Sequence, residues 1–308
     1  MAPTAVRVRV PATSANLGPA FDCAGLALTC ADELEFAVTG GGLTVEVSGV
    51  GAGELPTDES HLVVRAFRAA CAELGWTPPG LRVTAVNGIP QGRGLGSSAA
   101  AVVAGVLGAW ALCPDVEVDA AAVLRLADRL EGHPDNVAAC LLGGATLSWG
   151  TPAGARAARL DVDPRITPVL FVPPATLSTS EARGLLPDIV PHADAAHAAG
   201  RSALLVHALT ADPALLFEAT EDRLHQRQRA AAMPSSADLL QRLRADGHAA
   251  VVSGAGPSVL VLAAREPGED PATAAVVAPL RAATPEGWRC LPLDVDGDGA
   301  TAHPVTGS

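Results

Sequence analysis

The sequence predicts a mixed α+β protein of two domains. Short segments of alternating or continuous apolar residues, typical of strands, are interspersed with longer segments that have helical spacing of apolar residues. The 308 residues suit one large domain or two ordinary ones, and the 49% hydrophobic content supplies material for more than one core. Residues 150–158, rich in Gly, Pro and Ala, are the best candidate boundary. We therefore expect domains at 1–155 and 156–308.

The elements of the first domain follow from residue spacing. Strands are predicted at 6–10, 24–29, 34–38, 43–47, 81–86 and 145–149. Helices are predicted at 61–74, where Gly75 ends the pattern, at about 97–112, and from the N-cap Asp119 to about 130, with a short helix at 136–142. Residues 131–135 are expected to form a loop.

The second domain is predicted in the same way. Strands are expected at 167–172, 249–252, 259–263 and about 290–294. Ser178 and Glu181 have the spacing of a capping box, which predicts a short helix that stops before Pro187. Further helices are expected at about 194–209, 213–224, 237–245 and 272–283. The tail from 297 to 308 is expected to be frayed.

Composition excludes several classes of function. The net charge of −12 and the pI near 5.0 argue against nucleic acid or an anionic membrane as a partner. Six scattered cysteines without paired spacing predict buried thiols in a reducing compartment. No targeting segment precedes Val6 and no apolar run is long enough to span a bilayer, so we expect a cytoplasmic protein.

The most informative segment is the glycine-rich run from Pro90 to Ala101, which follows a predicted strand and leads into a long apolar helix. Its three glycines at 92, 94 and 96 let the backbone turn sharply and pass close to a bulky ligand. Ser97 and Ser98 stand where the helix begins, so free N–H groups and the positive end of the helix dipole face the loop. This arrangement predicts an anion site, most simply for phosphate.

Two common phosphate-binding motifs fit poorly. A Walker A loop needs a lysine, and all 21 Lys/Arg-type residues of this chain are arginine. A dinucleotide fingerprint would need a surrounding βαβ unit that the sequence does not predict. A glycine-rich turn that merely packs tightly remains the alternative.

Three segments together resemble the GHMP kinases, the superfamily named for galactose, homoserine, mevalonate and phosphomevalonate kinases. They are 11–22 (PATSANLGPAFD), 90–99 (PQGRGLGSSA) and 253–258 (SGAGPS), and their order and spacing cover nearly the whole chain. The resemblance implies the two-domain GHMP kinase fold, with an N-terminal ribosomal-protein-S5-like domain and a C-terminal ferredoxin-like α/β sandwich. It also implies that ATP is bound by Pro90, Gln91, Gly92, Arg93, Gly94, Leu95, Gly96, Ser97, Ser98, Ala99 and Ala100, with His61 near the adenine and Gly254, Ala255 and Gly256 in the third loop.

A magnesium site is implied by the same resemblance. Ser98 and Glu131 match the metal ligands, and a carboxylate with a hydroxyl suits a hard cation such as Mg²⁺. Taken without the family, Glu131 is more often only a solvated helix end.

Three further segments are similar to homoserine kinases. They are 178–183 (STSEAR), 131–138 (EGHPDNVA) and 224–229 (LHQRQR), the last with Arg-Gln where those enzymes usually carry Pro-Tyr. Homoserine kinases also usually carry Asn where this chain has His61, so the adenine pocket is expected to differ in detail.

The resemblance implies a substrate site for an amino-acid alcohol. Arg183 and Arg229 can hold a carboxylate through forked, charge-assisted hydrogen bonds, and Asp22 can receive an ammonium group. Taken singly, either arginine is more often a surface ion-pair partner. The implied substrate residues are Asn16, Asp22, Asn136, Thr179, Arg183 and Arg229.

Catalysis is expected to rely on positioning, because phosphoryl transfer needs alignment and charge neutralisation more than covalent chemistry. The lysine–aspartate arrangement of mevalonate-type relatives cannot operate without lysine. Asn136 is expected to orient the hydroxyl, with Glu131 and Ser98 as the other catalytic groups. Whether His133 or Asp135 acts as a base is left open.

These observations predict a homoserine kinase that uses ATP and Mg²⁺ to make O-phosphohomoserine for threonine synthesis. A kinase for another small alcohol is disfavoured, since two arginines and an aspartate suit a zwitterion. A catalytically silent nucleotide-binding regulator is a third possibility, although it would be expected to lose Ser98, Glu131 or the glycines. The resemblance further implies small-molecule partners and a homodimer.

Overall fold

The structure is a computed structural model that describes residues 3–305, and it confirms the mixed α+β architecture. The strands are β1 (Ala5–Ala15), β2 (Ala24–Val38), β3 (Gly42–Gly49), β4 (Gly80–Asn87), β5 (Ala145–Thr151), β6 (Gly154–Leu160), β7 (Ile166–Val172), β8 (Ala250–Val252), β9 (Val259–Ala264), β10 (Arg289–Pro292) and β11 (Thr301–Pro304). The helices are α1 (Leu62–Glu73), α2 (Ser97–Leu112), α3 (Ala120–Glu131), α4 (Pro134–Leu142), α5 (Thr179–Gly184), α6 (His192–Thr210), α7 (Leu216–Ala219), α8 (Gln226–Arg229), α9 (Pro234–Ala245) and α10 (Val277–Ala282), with 3₁₀ turns at Pro213–Leu215 and Ala230–Ala232.

The first sheet is built on the long strands β1 and β2. Its order is β11–β1–β2–β4–β3, with β5 paired to β2 and β6 to β5, and β3–β4 is its parallel pair. Helix α2 packs on this sheet and is apolar around most of its circumference, so it is buried along most of its length. A Cβ at Gly108 would lie 2.8 Å from the ring of Phe36 on β2, which explains a glycine inside this helix. The predicted buried core helix is therefore confirmed.

The second sheet has the order β10–β7–β9–β8, and all of its pairs are antiparallel. Strand β7 is buried at every position, which is why its sequence is a continuous apolar run. Residues of α9 and α10, including Leu239 and Leu280, pack with β7 and β9 in one apolar cluster. The loop between β8 and β9 carries the third glycine segment and reaches back toward the first sheet.

The segment 150–158, which its composition marks as the best candidate boundary, has regular structure. It forms the β5–β6 hairpin of the first sheet, and the turn is closed by the Thr151 hydroxyl, which donates to the carbonyl of Gly154 at 2.7 Å. Gly154 has φ 104°, a backbone conformation that favours glycine. The division of the chain at 155/156 stays a prediction, and the first sheet extends through Leu160.

The expectation of a frayed tail is wrong for residues 297–305. Strand β11 pairs antiparallel with β1, and Asp296 fixes the preceding turn by accepting hydrogen bonds from the N–H groups of Asp298 and Gly299. Arg9 forms an ion pair with Asp296 at 2.6 Å. The free edge of β1 therefore binds the end of the chain, whereas residues 306–308 lie outside the described part.

The predicted helix at 213–224 is also shorter than expected. After the 3₁₀ turn, α7 ends at Ala219, where the Thr220 hydroxyl donates back to the carbonyl of Leu216. Asp222 then accepts N–H groups of Leu224, His225 and Gln226 and turns the chain into α8. Side chains of this kind compete for backbone hydrogen bonds and can thereby terminate a helix. Here they end α7 and turn the chain into α8. Within residues 3–305, no helix is long and apolar enough to cross a bilayer.

Candidate active site

The three glycine-containing segments converge on one cleft of about 570 Å³, including space open to solvent. The cleft is lined from the first sheet by the β1–β2 loop and the N-terminal ends of α2 and α4, and from the second half of the chain by α5, α8 and the β8–β9 loop. It brings together most of the predicted site residues: Asn16, Asp22, Gly92, Arg93, Gly94, Gly96, Ser97, Ser98, Glu131, Asn136, Thr179, Arg183, Arg229, Gly254 and Ala255.

Gly94 and Gly96 of the glycine loop lie too close to neighbouring segments to carry a side chain. A Cβ at Gly94 would lie 2.1 Å from the carbonyl oxygen of Ser253, and one at Gly96 would lie 1.9 Å from the Thr13 hydroxyl. Gly96 is the N-cap of α2 at φ 65°, and no side chain caps the helix. The first N–H groups of α2 and its dipole are therefore available to an anion in the cleft.

Ser98 and Glu131 are brought together at the mouth of the cleft, where the Ser98 hydroxyl donates to a carboxylate oxygen of Glu131. Glu131 is the last residue of α3, so a helix end carries the carboxylate to the start of α2. Two oxygen donors beside the N-terminus of a helix suit Mg²⁺, which is commonly bound by one or two protein oxygens together with phosphates. The residues present therefore fit the predicted cation.

Asn136 is held firmly at the start of α4. Its Oδ1 accepts from the Thr13 hydroxyl at 2.7 Å, and its Nδ2 donates to Asp135 at 3.3 Å. Asp135 is buried and also lies 3.2 Å from Nδ1 of His133, and this hydrogen bond raises the pKa of His133 above its ordinary value. The expected loop at 131–135 ends early, because Pro134 begins α4.

The β1–β2 loop adopts unusual backbone geometry around Asn16 and Asp22. Both residues have positive φ, at 70° and 53°, a region that few residues other than glycine occupy. The Asn16 side chain stabilises this loop, since its Oδ1 accepts from the N–H of Asp22 and its Nδ2 donates to the carbonyl of Gly254. Asn16 thereby joins the first and third glycine segments. Strain of this kind persists where the surroundings fix it, often at functional sites.

Asp22 and Arg183 form a bidentate ion pair across the cleft, with distances of 2.6 and 3.0 Å. Each side chain is about one-third exposed, 35% for Asp22 and 36% for Arg183. The hydrogen bond to Asp22 raises the pKa of Arg183 above its ordinary value. The two groups expected to bind opposite ends of a zwitterion therefore satisfy each other when no ligand is present.

Arg229 lies at the floor of the cleft and is 1% exposed. Its Nε donates to the carbonyl of Ala182 at 3.2 Å, and its Nη1 lies 3.0 Å from Nδ1 of His225 and 3.3 Å from the carbonyl of Gly254. Burial lowers the pKa of Arg229, and the positive charge of Arg183 lowers it further. Both guanidinium groups lie near the ring of Phe21, Arg183 at 5.7 Å and Arg229 at 5.4 Å from its centroid.

Helix α5 supplies the remaining predicted contact, Thr179. The Ser178 hydroxyl accepts from the N–H of Glu181 and caps the helix, as the sequence predicts. This short helix directs Thr179 and Arg183 toward the cleft.

Seven predicted nucleotide-site residues do not line the cleft: His61, Pro90, Gln91, Leu95, Ala99, Ala100 and Gly256. Leu95, Ala99 and Ala100 are buried in the core and shape the loop from behind. His61 is buried at the N-terminus of α1, where its Nδ1 accepts from the N–H of Val63. A contact between His61 and adenine stays a prediction.

Sequence reasoning assigned no role to Thr13, Phe21 or His225. All three lie within the segments that carry the resemblance. The contacts of Thr13 with Asn136 and of Phe21 with Arg183 and Arg229 join distant segments, which a single sequence does not show. His225 and Arg229 are four residues apart, and this helical spacing is the one signal that could have indicated their contact.

Two family descriptions match the chain. GHMP kinases N terminal domain matches residues 61–144, and GHMP kinases C terminal matches residues 203–281. The homoserine kinase of Streptomyces avermitilis is 54% identical, over 98% of this chain and 96% of its own length. The homoserine kinase of Clavibacter michiganensis subsp. michiganensis is 52% identical, over 97% of this chain and 94% of its own length.

The chain is also similar to solved structures of kinases. The crystal structure of homoserine kinase from Cytophaga hutchinsonii superposes with a TM-score of 0.83 at 25% identity, covering 97% of this chain and 98% of that one. The putative homoserine kinase of Listeria monocytogenes gives a TM-score of 0.77 at 30% identity, with 98% and 100% covered. Mevalonate kinase from L. major, at 16% identity and a TM-score of 0.66 over 96% of both chains, shares the fold.

Proposed function

This chain belongs to the GHMP kinase family and has its two-domain fold, and we propose that it phosphorylates the side-chain hydroxyl of L-homoserine with ATP as the donor. One observation carries the proposal: Asp22, Arg183 and the buried Arg229 lie in the same cleft as the N-terminus of α2. A phosphate site thus stands beside groups of both charges, which suit an amino acid more than a sugar or an isoprenoid.

The phosphates of ATP would be held by the glycine loop and the first turn of α2. Because Gly94 and Gly96 lack side chains, the loop can fold tightly against its neighbours and present its N–H groups to the cleft. The nucleotide would therefore enter with its terminal phosphate near Ser98 and Asn136.

Mg²⁺ would be held by Ser98 and Glu131. When bound, it would neutralise charge on the phosphates. The contact between the two side chains places both oxygens at the start of α2, where the phosphates are proposed to lie.

The carboxylate of homoserine would bind Arg183 and Arg229, and its ammonium group would bind Asp22. Charge-assisted and bidentate hydrogen bonds of this kind give both affinity and orientation. Binding would replace the Asp22–Arg183 ion pair by two ion pairs with the ligand. Thr179, on the same side of the cleft as Arg183, would add a polar contact.

Asn136 would orient the reacting hydroxyl toward the terminal phosphate. Its amide is fixed by Thr13 and Asp135, so it does not have to be ordered during the reaction. The sequence contains no lysine that could serve as a base, and we propose that alignment and charge neutralisation carry the reaction.

The test is ADP release by the purified protein with ATP and Mg²⁺. L-Homoserine, L-serine, L-threonine, mevalonate and galactose would be compared as acceptors. Release that only homoserine stimulates is the expected result. Stimulation by mevalonate or galactose would refute the assignment of the charged residues, and ATP binding without release would indicate a regulator.

Three expectations remain proposals: the division of the chain at 155/156, pairing of two copies into a homodimer, and a cytoplasmic location. Sedimentation of the purified protein would decide the second of these.

A further inference from the structure

His225 stands out among the residues that the sequence left without a role. Its side chain is fully buried, at 0% exposure, at the point where α8 meets the β1–β2 loop. Phe21 packs against it, with ring centroids 5.3 Å apart. Most buried polar side-chain atoms are hydrogen-bonded, and the partners of His225 restrict its chemical state.

The hydrogen bonds of His225 define one tautomer. Nε2 lies 2.9 Å from the carbonyl oxygen of Gly18, which can only accept, so Nε2 must carry the proton. Nδ1 lies 3.0 Å from Nη1 of Arg229, which can only donate, so Nδ1 must be unprotonated. The imidazole is therefore neutral and bridges the β1–β2 loop to Arg229.

The hydrogen bond from Arg229 to His225 helps to determine which nitrogen of the Arg229 guanidinium group is free. Nε is used by Ala182, and Nη1 by His225 and Gly254. Within residues 3–305, Nη2 has no hydrogen-bond partner, and no carboxylate lies within 4.0 Å of the guanidinium group. The buried cation thus keeps one nitrogen for a ligand in the cleft that Arg229 lines.

We propose that His225 is a positioning residue, which holds the Arg229 guanidinium so that Nη2 meets the carboxylate of the amino-acid substrate. The inference rests on the proposed function for the identity of that substrate. It extends the proposed function by assigning part of the carboxylate affinity to a side chain that never touches the ligand.

The charges around His225 support a neutral ring at ordinary pH. Burial is the main cause that lowers its pKa, and Arg229 lowers it further, whereas Asp222 and Asp22 raise it. Arg183 is a further cation, 5.7 Å from the centroid of the Phe21 ring. Protonation would remove the acceptor for Arg229, and it would occur only below the ordinary histidine pKa of about 6.5. The positioning should therefore be intact at neutral pH and weaken as the pH falls.

Replacing His225 by Asn or by Gln tests its two hydrogen bonds separately, because each variant can keep one of them and loses the other. In His225→Asn, the side-chain oxygen can take the place of Nδ1 and still accept from Arg229, while the bond to Gly18 is lost. In His225→Gln, the side-chain nitrogen can take the place of Nε2 and still donate to Gly18, while the acceptor beside Arg229 is lost. Because both remove the ring, they share any loss of packing against Phe21.

The measured quantities are KM for L-homoserine, KM for ATP and kcat, from pH 5 to pH 8. At neutral pH we expect His225→Gln to raise KM for homoserine about five- to tenfold, the range of one hydrogen bond, with little change for ATP. His225→Asn should stay nearer the original value. The rise of this KM at low pH should be present in the unsubstituted protein and weaker in His225→Asn. Replacing the exposed His207 by Gln is the matched control.

Equal KM values for homoserine in the two amide variants, or parallel losses in ATP affinity and kcat, would show a purely structural role and overturn the inference. Nitrogen-15 NMR of the imidazoles, assigned by difference with His225→Gln, gives an independent check without substrate. A protonated Nδ1 at pH 7 would also overturn it. If the unsubstituted protein fails to phosphorylate homoserine, the proposed function fails, and the NMR result still decides the bridge to Arg229.

Discussion

Replacing Asp22 by Asn should change which ligands the cleft prefers, because Asp22 has two competing roles. Without a ligand it pairs with Arg183 through contacts of 2.6 and 3.0 Å. With an amino acid bound, it is proposed to hold the ammonium group instead. The introduced asparagine side chain would have nearly the same size and no charge, so both roles are weakened by one substitution.

The magnitude follows from the exposure of the pair. Both side chains are about one-third exposed, at 35% and 36%, so solvent screening limits the ion pair to about 1 kcal/mol. A charge-assisted hydrogen bond to an ammonium group contributes about 1.5–3 kcal/mol. Homoserine should therefore bind about 2- to 30-fold more weakly after the substitution, since part of the loss is offset by the ion pair that no longer has to be broken.

A ligand without the amine should respond in the opposite direction. 4-Hydroxybutanoate has the same chain, hydroxyl and carboxylate, and in the Asp22→Asn variant it no longer competes with Asp22 for Arg183. It should bind up to about fivefold more tightly, so the preference for homoserine falls about 10- to 150-fold.

Isothermal titration of both ligands in the presence of a non-hydrolysable ATP analogue measures these changes. Asp246→Asn, an exposed aspartate at the end of α9, is the control. Equal weakening of both ligands would refute the reasoning, since it would show that Asp22 supports the fold of the cleft without discriminating charge.

Three further predictions concern the metal, the glycine loop and the chain terminus. Glu131→Gln should raise the Mg²⁺ concentration needed for half-maximal ADP release by about tenfold, because it removes the charge of a proposed ligand. Gly96→Ala should weaken ATP binding by at least about tenfold and lower the thermal midpoint, since the new Cβ would lie 1.9 Å from the Thr13 hydroxyl at a positive φ. Asp296→Asn should keep the turn before β11 but lower the free energy of unfolding in urea by about 1–3 kcal/mol, because it breaks the largely buried pair with Arg9.

Each of these predictions has a matched control. For the metal site, the control is Glu286→Gln, which changes an exposed glutamate. An unchanged Mg²⁺ requirement in Glu131→Gln would show that Glu131 is not a metal ligand. Gly75→Ala introduces a methyl group at a similar φ of 64° but into open space, so equal effects at both glycines would exclude the steric argument. Asp161→Asn affects a pair whose aspartate is 97% exposed, and a similar loss there would contradict the role of burial at Asp296.

Local features of this protein could be predicted from the sequence because they depend on neighbouring residues. The start of α2 follows from the glycines and serines beside it, and the N-caps Asp119 and Ser178 follow from their own spacing. The sequence identified the three glycine segments through the resemblance, and the structure shows that they meet, through contacts such as that of Asn16 with the carbonyl of Gly254.

Features that depend on distant residues could not be predicted in this way. Composition favoured a domain boundary at 150–158, but pairing between β5 and β6 determines the structure of this segment. The ion pair between Asp22 and Arg183 joins residues 161 positions apart, so the sequence showed two binding groups and not their contact. His225 was missed in part for the same reason, since Gly18 is 207 positions away, although Arg229 is only four residues away.

The pairing of β11 with β1 also has a consequence for how the protein is made. Among the described elements, β1 is synthesised first and β11 last, so this edge of the first sheet stays unpaired until β11 has been made. The same β1 leads directly into the loop that carries Asn16 and Asp22. Domains generally fold in the order of synthesis. The first sheet is therefore expected to form around β2 before β11 is added. The sheet that carries the loop of Asn16 and Asp22 is therefore completed only after the other elements described in residues 3–305 have been made.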